Sequence, residues 1–291
     1  MIPSTTGAAP PATYGEARIT PRGDYAHARA DYTCEQDWAR YTEAEHALFA
    51  RLYARQMALL PGRACDEFLR ALPHLDAADG IPRFDDINGR LRRATGWEIV
   101  AVPGLIPERS FFALLAARRF PVTVWLRRPE EFDYIVEPDL FHDLFGHVPL
   151  LFNPVFADYM QAYGEGGLKA ERLGALQFLA RLYWYTVEFG LIRTDAGLRI
   201  YGAGILSSAG EVQWSLDSAQ PRRLPFDLLR VLRSRYRIDD FQSTYFVIDG
   251  FAQLFAATAP DFAPLYVTAA AAGDIAAEVA VGRASPVLVK P

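Results

Sequence analysis

The chain has 291 residues, of which 51% are hydrophobic and 13% aromatic, with a formal net charge of −5. That is apolar side chain enough for one large domain, and the acidic balance gives nucleic acid or anionic lipid no electrostatic reason to bind. Two cysteines, Cys34 and Cys65, are too few for a disulfide framework; there is no leader pattern and no uncharged apolar run of the roughly 18–20 residues a membrane helix needs, so a soluble cytoplasmic protein is expected.

Residues 1–30, rich in Pro, Ala, Gly and Thr without a hydrophobic period, are expected to form a disordered arm. From 43 to 60, Leu48, Leu52, Met57 and Leu60 recur at helical spacing behind Thr42, a suitable N-cap. The same periodicity predicts helices over 84–93, 107–117, 155–165, 174–192 and 249–257. Clustered β-branched and aromatic residues predict two short strands, 97–102 and 122–126. After Pro264 the chain turns Ala-rich, fit for one amphipathic helix but without the heptads of an oligomerising coil. The expected architecture is a mostly α (α+β) fold: one catalytic domain over 31–262, between the arm and an Ala-rich tail over 263–291.

The chemistry concentrates in Glu137-Pro-Asp-Leu-Phe-His-Asp-Leu-Phe-Gly-His-Val-Pro149. Pro138 suits a helix start and Gly146 a helix end. On one continuous α-helix His142 and His147 would lie about 140° apart at about 100° per residue, and could not share a metal. A left-handed Gly146 would end the helix and let His147 swing back toward His142. This spacing excludes the H-E-x-x-H zincin pattern. Two such histidines also occur as plain polar residues on a helix and the loop after it.

The second stretch, 174–190, is apolar nearly all round and should be buried, with Glu188 deep inside it. A carboxylate there needs a cation or hydrogen-bond donors. An arginine such as Arg193 or Arg172 is one answer. A metal is the other, and with His142 and His147 it completes the two-His, one-carboxylate face typical of non-haem Fe(II) oxygenases. Zinc accepts the same ligands, which leaves a zinc hydrolase as an alternative. Asp139, three residues before His142, shares its helix face, and is expected to accept the second ring N–H of that ligand. Otherwise it complements the helix dipole.

Three blocks, 137–150, 183–191 (Tyr-Trp-Tyr-Thr-Val-Glu-Phe-Gly-Leu) and 201–211 (Tyr-Gly-Ala-Gly-Ile-Leu-Ser-Ser-Ala-Gly-Glu), resemble the pterin-dependent aromatic amino acid hydroxylases, above all the short bacterial phenylalanine 4-hydroxylases. The resemblance covers roughly 31–254. It implies His142, His147 and Glu188 as ligands of Fe(II), Phe111 stacked on a tetrahydropterin (tetrahydrobiopterin or a relative), and Gly104 and Ile106 as backbone contacts to it. It implies Arg127 as clamp of the substrate carboxylate, Trp184 and Ser207 in the substrate pocket, and Tyr183 near iron and pterin. The implied reaction converts L-phenylalanine to L-tyrosine with O2, and a tryptophan or tyrosine hydroxylase is the alternative within the family. Asp143 and Ile135 depart from the Glu and Thr of animal members, which puts details of pocket hydrogen bonding in doubt. Without a regulatory domain or a heptad helix, a monomer is expected.

Overall fold

The computed structural model describes residues 12–14, 17–19, 21–238 and 240–277. Two short strands, β1 (Ala12–Tyr14) and β2 (Ala17–Ile19), pair antiparallel. Helix α1 (Glu43–Leu59) starts as expected at Thr42, whose hydroxyl accepts from the Glu45 N–H while the Glu45 carboxylate accepts from the Thr42 N–H. After α2 (Asp66–Ala71), α3 (Phe84–Thr95) buries Phe84, Ile87, Asn88 and Leu91 on one face. Strands β3 (Glu98–Val102) and β4 (Arg119–Thr123) are parallel neighbours, Glu98 opposite Arg119, with α4 (Glu108–Ala116) as the crossover. The second of these strands lies a few residues earlier than expected, and Trp125 to Arg127 leave it as a loop.

Helix α5 (Pro154–Arg172) runs well past its expected end at 165. Its glycines look like a helix terminus in the sequence, yet they serve packing: a Cβ at Gly164 would stand 2.7 Å from Leu115 Cβ, and one at Gly167 would overlap the Phe112 ring. α4 therefore lies directly on α5.

The expected helix over 174–192 is three elements. Helix α6 (Leu176–Tyr183) widens into a π turn over Trp184–Glu188, and the chain then enters β5 (Leu191–Thr194). Leu191 and Ile192 pair there with Val247 and Ile248, so strand pairing overrides the helical pattern. The remaining elements are β6 (Gly197–Ile200), α7 (Ala203–Leu206), α8 (Ala209–Asp217), β7 (Arg222–Pro225), α9 (Leu228–Arg233), β8 (Thr244–Ile248), α10 (Phe251–Thr258) and α11 (Ala263–Ala272). A four-stranded sheet runs β6-β5-β8-β7, antiparallel only between β5 and β6. Eight strands thus occur among the described residues where two were expected, all short, and the fold remains mostly helical.

The expected ends of the domain also move. The Arg22 N–H donates to the Glu137 carboxylate, the Arg22 guanidinium pairs with Glu131, and the buried Tyr25 donates its hydroxyl to Leu105 O (2.8 Å). This part of the expected arm is folded. At the other end α11 buries Tyr266 and Ala269, Arg181 pairs bidentately with Asp274, and Ile275 bridges to Ser234. The body reaches at least 277. The rest of the expected arm and tail, 1–11, 15–16, 20 and 278–291, lies outside the described residues.

Candidate metal centre

Gly146 does not end a helix. Its φ is not positive; instead His142–His147 is a π-helical turn, followed by a 3-10 turn over Val148–Phe152. A π turn closes i to i+5, so two residues five apart return to the same face, which a regular α-helix would deny them. Gly146 is needed for a different reason. A Cβ there would stand 2.8 Å from Ala203 O, so the missing side chain lets α7 press against the turn. The third residue arrives by the same device: Phe189 N–H donates to Trp184 O across Trp184–Glu188. Two π turns deliver all three side chains.

His142 Nε2 and His147 Nε2 are 3.2 Å apart, His147 Nε2 is 3.2 Å from Glu188 Oε1, and His142 Nε2 is 3.6 Å from Glu188 Oε2. All three residues are buried. The network around His142 sets its tautomer. The Ser207 hydroxyl donates its one proton to Ala203 O (2.9 Å), so its oxygen accepts from the His142 Nδ1–H (2.9 Å), and the Nε2 lone pair faces the cluster. Burial alone would push the Glu188 carboxyl up, but the two imidazoles beside it hold it well below the usual carboxylate range. Burial disfavours the imidazolium of His142, yet Glu188, Asp143 and Asp139 together raise its pKa. Glu188 Oε2 is buried without a hydrogen-bond partner. An ionised carboxylate and two imidazole nitrogens converging in a buried site fit a divalent cation. The arginine alternative fails: Arg193 turns to Asp249 at 3.4 Å and Arg172 ends α5 in solvent.

Asp139 stands where expected but does not touch the ring. Its carboxylate takes the Arg127 Nε and Nη2 bidentately, both at 2.9 Å, with the backbone N–H groups of Arg127 and His142 as further donors. Burial would raise the Asp139 carboxyl; the Arg127 guanidinium and these N–H groups outweigh it and hold it low. Ser207 takes the contact expected of Asp139, because the residue that follows α7 reaches the ring edge while Asp139 faces the loop that carries Arg127.

Two cavities meet at the cluster, sharing Pro138, His142, Trp184 and Glu188. The larger, about 450 Å³, has Gly104, Ile106, Phe111, Asp143, His147 and Tyr183 in its wall. The Phe111 ring lies edge-on to Tyr183 at 5.8 Å. The smaller, about 100 Å³, is lined by Arg127, Ile135, Ser207, Phe241 and Gln242 among others. The expected pterin residues therefore line the larger cavity, the expected substrate residues Arg127 and Ser207 line the smaller one, and Trp184 borders both. Sequence reasoning missed Tyr236, stacked on Trp184 at 4.2 Å, and Gln242, which meets the same indole. Both come from the segment before β8, which carries no motif, and no signal in one sequence would have found them.

Comparisons with known proteins converge on this architecture. Residues 12–262 match the model of the biopterin-dependent aromatic amino acid hydroxylases. A phenylalanine-4-hydroxylase of Ralstonia nicotianae is 67% identical over 239 residues, 82% of this chain and 76% of that one. The phenylalanine-4-hydroxylase of Chromobacterium violaceum is 63% identical over 257 residues, 86% of each chain. An iron- and phenylalanine-bound crystal structure of the Chromobacterium violaceum phenylalanine hydroxylase superposes with a TM-score of 0.83 at 62% identity, covering 88% of this chain and 94% of that chain. The chain belongs to the biopterin-dependent aromatic amino acid hydroxylase family.

Proposed function

We infer that this protein is a phenylalanine 4-monooxygenase, converting L-phenylalanine to L-tyrosine with O2 and a tetrahydropterin at one Fe(II). The observation that carries the reading is the buried His142, His147 and Glu188 cluster between two cavities, in a chain of this family. Its family membership also removes the zinc-hydrolase alternative.

When bound, the iron and pterin supply the oxidising chemistry that protein side chains lack. The residues bind, orient and exclude water. His142, His147 and Glu188 hold the metal, and Ser207 keeps His142 in the tautomer that presents Nε2. Phe111 offers the pterin an aromatic face, with Gly104 and Ile106 along the same wall and Tyr183 between pterin and metal sides. In the smaller cavity Trp184 forms the wall against a substrate ring, and Arg127 meets the substrate carboxylate. Asp139 occupies the Nε/Nη2 edge of that guanidinium, and the end-on Nη1/Nη2 edge remains for a second carboxylate.

A monomer in the cytoplasm completes the proposal. No helix among the described residues is long and apolar enough to cross a membrane, and α11 packs Tyr266 and Ala269 on its own chain, Tyr266 stacking on Phe178 at 5.9 Å. Purified protein supplied with Fe(II), a tetrahydropterin and each aromatic amino acid tests the activity. Tyrosine from phenylalanine should dominate; faster hydroxylation of tryptophan or tyrosine would move the chain to that branch of its family.

A further inference from the structure

We propose that Gln242 is a positioning residue for the Trp184 indole, and through it for the aromatic slot beside the metal cluster; this rests on the phenylalanine hydroxylase reading above. Trp184 belongs to both cavities and its faces are well covered, by Tyr236 at 4.2 Å and 13° and by Phe189 at 4.7 Å and 37°. Stacking holds the plane of a ring but opposes rotation within that plane only weakly. The in-plane direction is held by a directional bond, from the indole Nε1–H to Gln242 Oε1 at 3.0 Å.

Gln242 is itself fixed at every polar group. Its Nε2 donates to Arg237 O at 2.9 Å and to Asp240 O at 3.3 Å, and since the indole can only donate, the amide has a single usable orientation. Its backbone N–H donates to the buried Glu211 carboxylate at 3.1 Å, and its backbone carbonyl accepts the Trp214 indole N–H at 2.8 Å. The same Glu211 oxygen accepts from the Tyr245 hydroxyl, which ties the arrangement to β8. A buried amide is costly unless every donor and acceptor is met, and a leucine would fill the space without that requirement. Here the polar hub ends on a ring in the wall of the slot that also holds Arg127, His142 and Glu188. A substrate ring aligned there is sensitive to displacements of about 1 Å.

The test compares Gln242→Leu, Trp184→Phe and the double variant, after melting curves establish that each is folded. Trp184→Phe deletes the same hydrogen bond from the other side while keeping an aromatic ring. Each single variant should raise the phenylalanine KM about three- to tenfold and lower the tyrosine formed per tetrahydropterin oxidised. In Gln242→Leu the pterin KM should stay within about twofold, because Gln242 is absent from the pterin-side wall. Calorimetric titration of phenylalanine into each protein should show the same loss of affinity without turnover. In the double variant Gln242→Leu should add less than about twofold to Trp184→Phe, the mark of two residues acting through one bond. Unchanged phenylalanine affinity and coupling in both singles, or losses that multiply in the double, would overturn the inference. Wild-type protein that makes no tyrosine would instead overturn the functional reading and this inference with it.

Discussion

Ser207 and Asp139 show how one buried histidine is oriented by different neighbours at its ring and its backbone. Among the described residues Ser207 is the only partner at His142 Nδ1, so Ser207→Ala should weaken iron affinity roughly tenfold while the melting temperature moves little. Equilibrium iron titration of the variant checks this, and wild-type affinity would leave the hydroxyl without a role at the metal. Asp139→Asn should behave oppositely. It breaks a fully buried bidentate pair and strands the Arg127 charge, a loss of about 3–5 kcal/mol. At about 2–4 °C per kcal/mol, melting should fall by roughly 10 °C. The pH sign follows from the lowered folded-state pKa of Asp139. Its contribution is complete above the ordinary carboxylate range and is lost as pH falls below about 4 through the folded value. The variant should show a flatter stability profile in that acidic window. A small melting change would mean that the pair contributes little.

At the scale of elements, the sequence made the long helices legible because their apolar positions keep one period and Thr42 marks a start. It concealed what depended on partners. α5 looked shorter because glycine is a poor helix former, yet Gly164 and Gly167 are where α4 sits. α4 carries both Phe112, which meets Gly167, and Phe111, which faces the larger cavity. Gly167→Ala gains up to about 1 kcal/mol in helix propensity but forces overpacking that costs about 1–3 kcal/mol. The steric effect should win: a modestly lower melting temperature and a pterin KM raised several-fold, with phenylalanine binding nearly unchanged. A more stable variant with normal pterin KM would show that α4 yields easily. The π turns were hidden for the same reason. His142 and His147 are visible in the sequence, but the means of uniting them was misread as a left-handed Gly146, since a π turn depends on the packing of α7 and not on a local motif. β7, an arginine pair with a proline, exists because β8 offers it an edge.

Across the whole molecule, the metal ligands could be read from two short blocks because chemistry restricts residue type there, and the two cavities could not, because they depend on loops that meet only in three dimensions. One iron per chain is the expected condition for activity. Protein stripped by a chelator should make no tyrosine from phenylalanine and tetrahydropterin, and activity should rise linearly with added Fe(II) to a break at about one equivalent. His147→Ala should bind far less iron and show no such rise, because two ligands of the face no longer suffice. Full tyrosine formation by the stripped protein, or a wild-type titration curve from His147→Ala, would contradict the assignment of the centre.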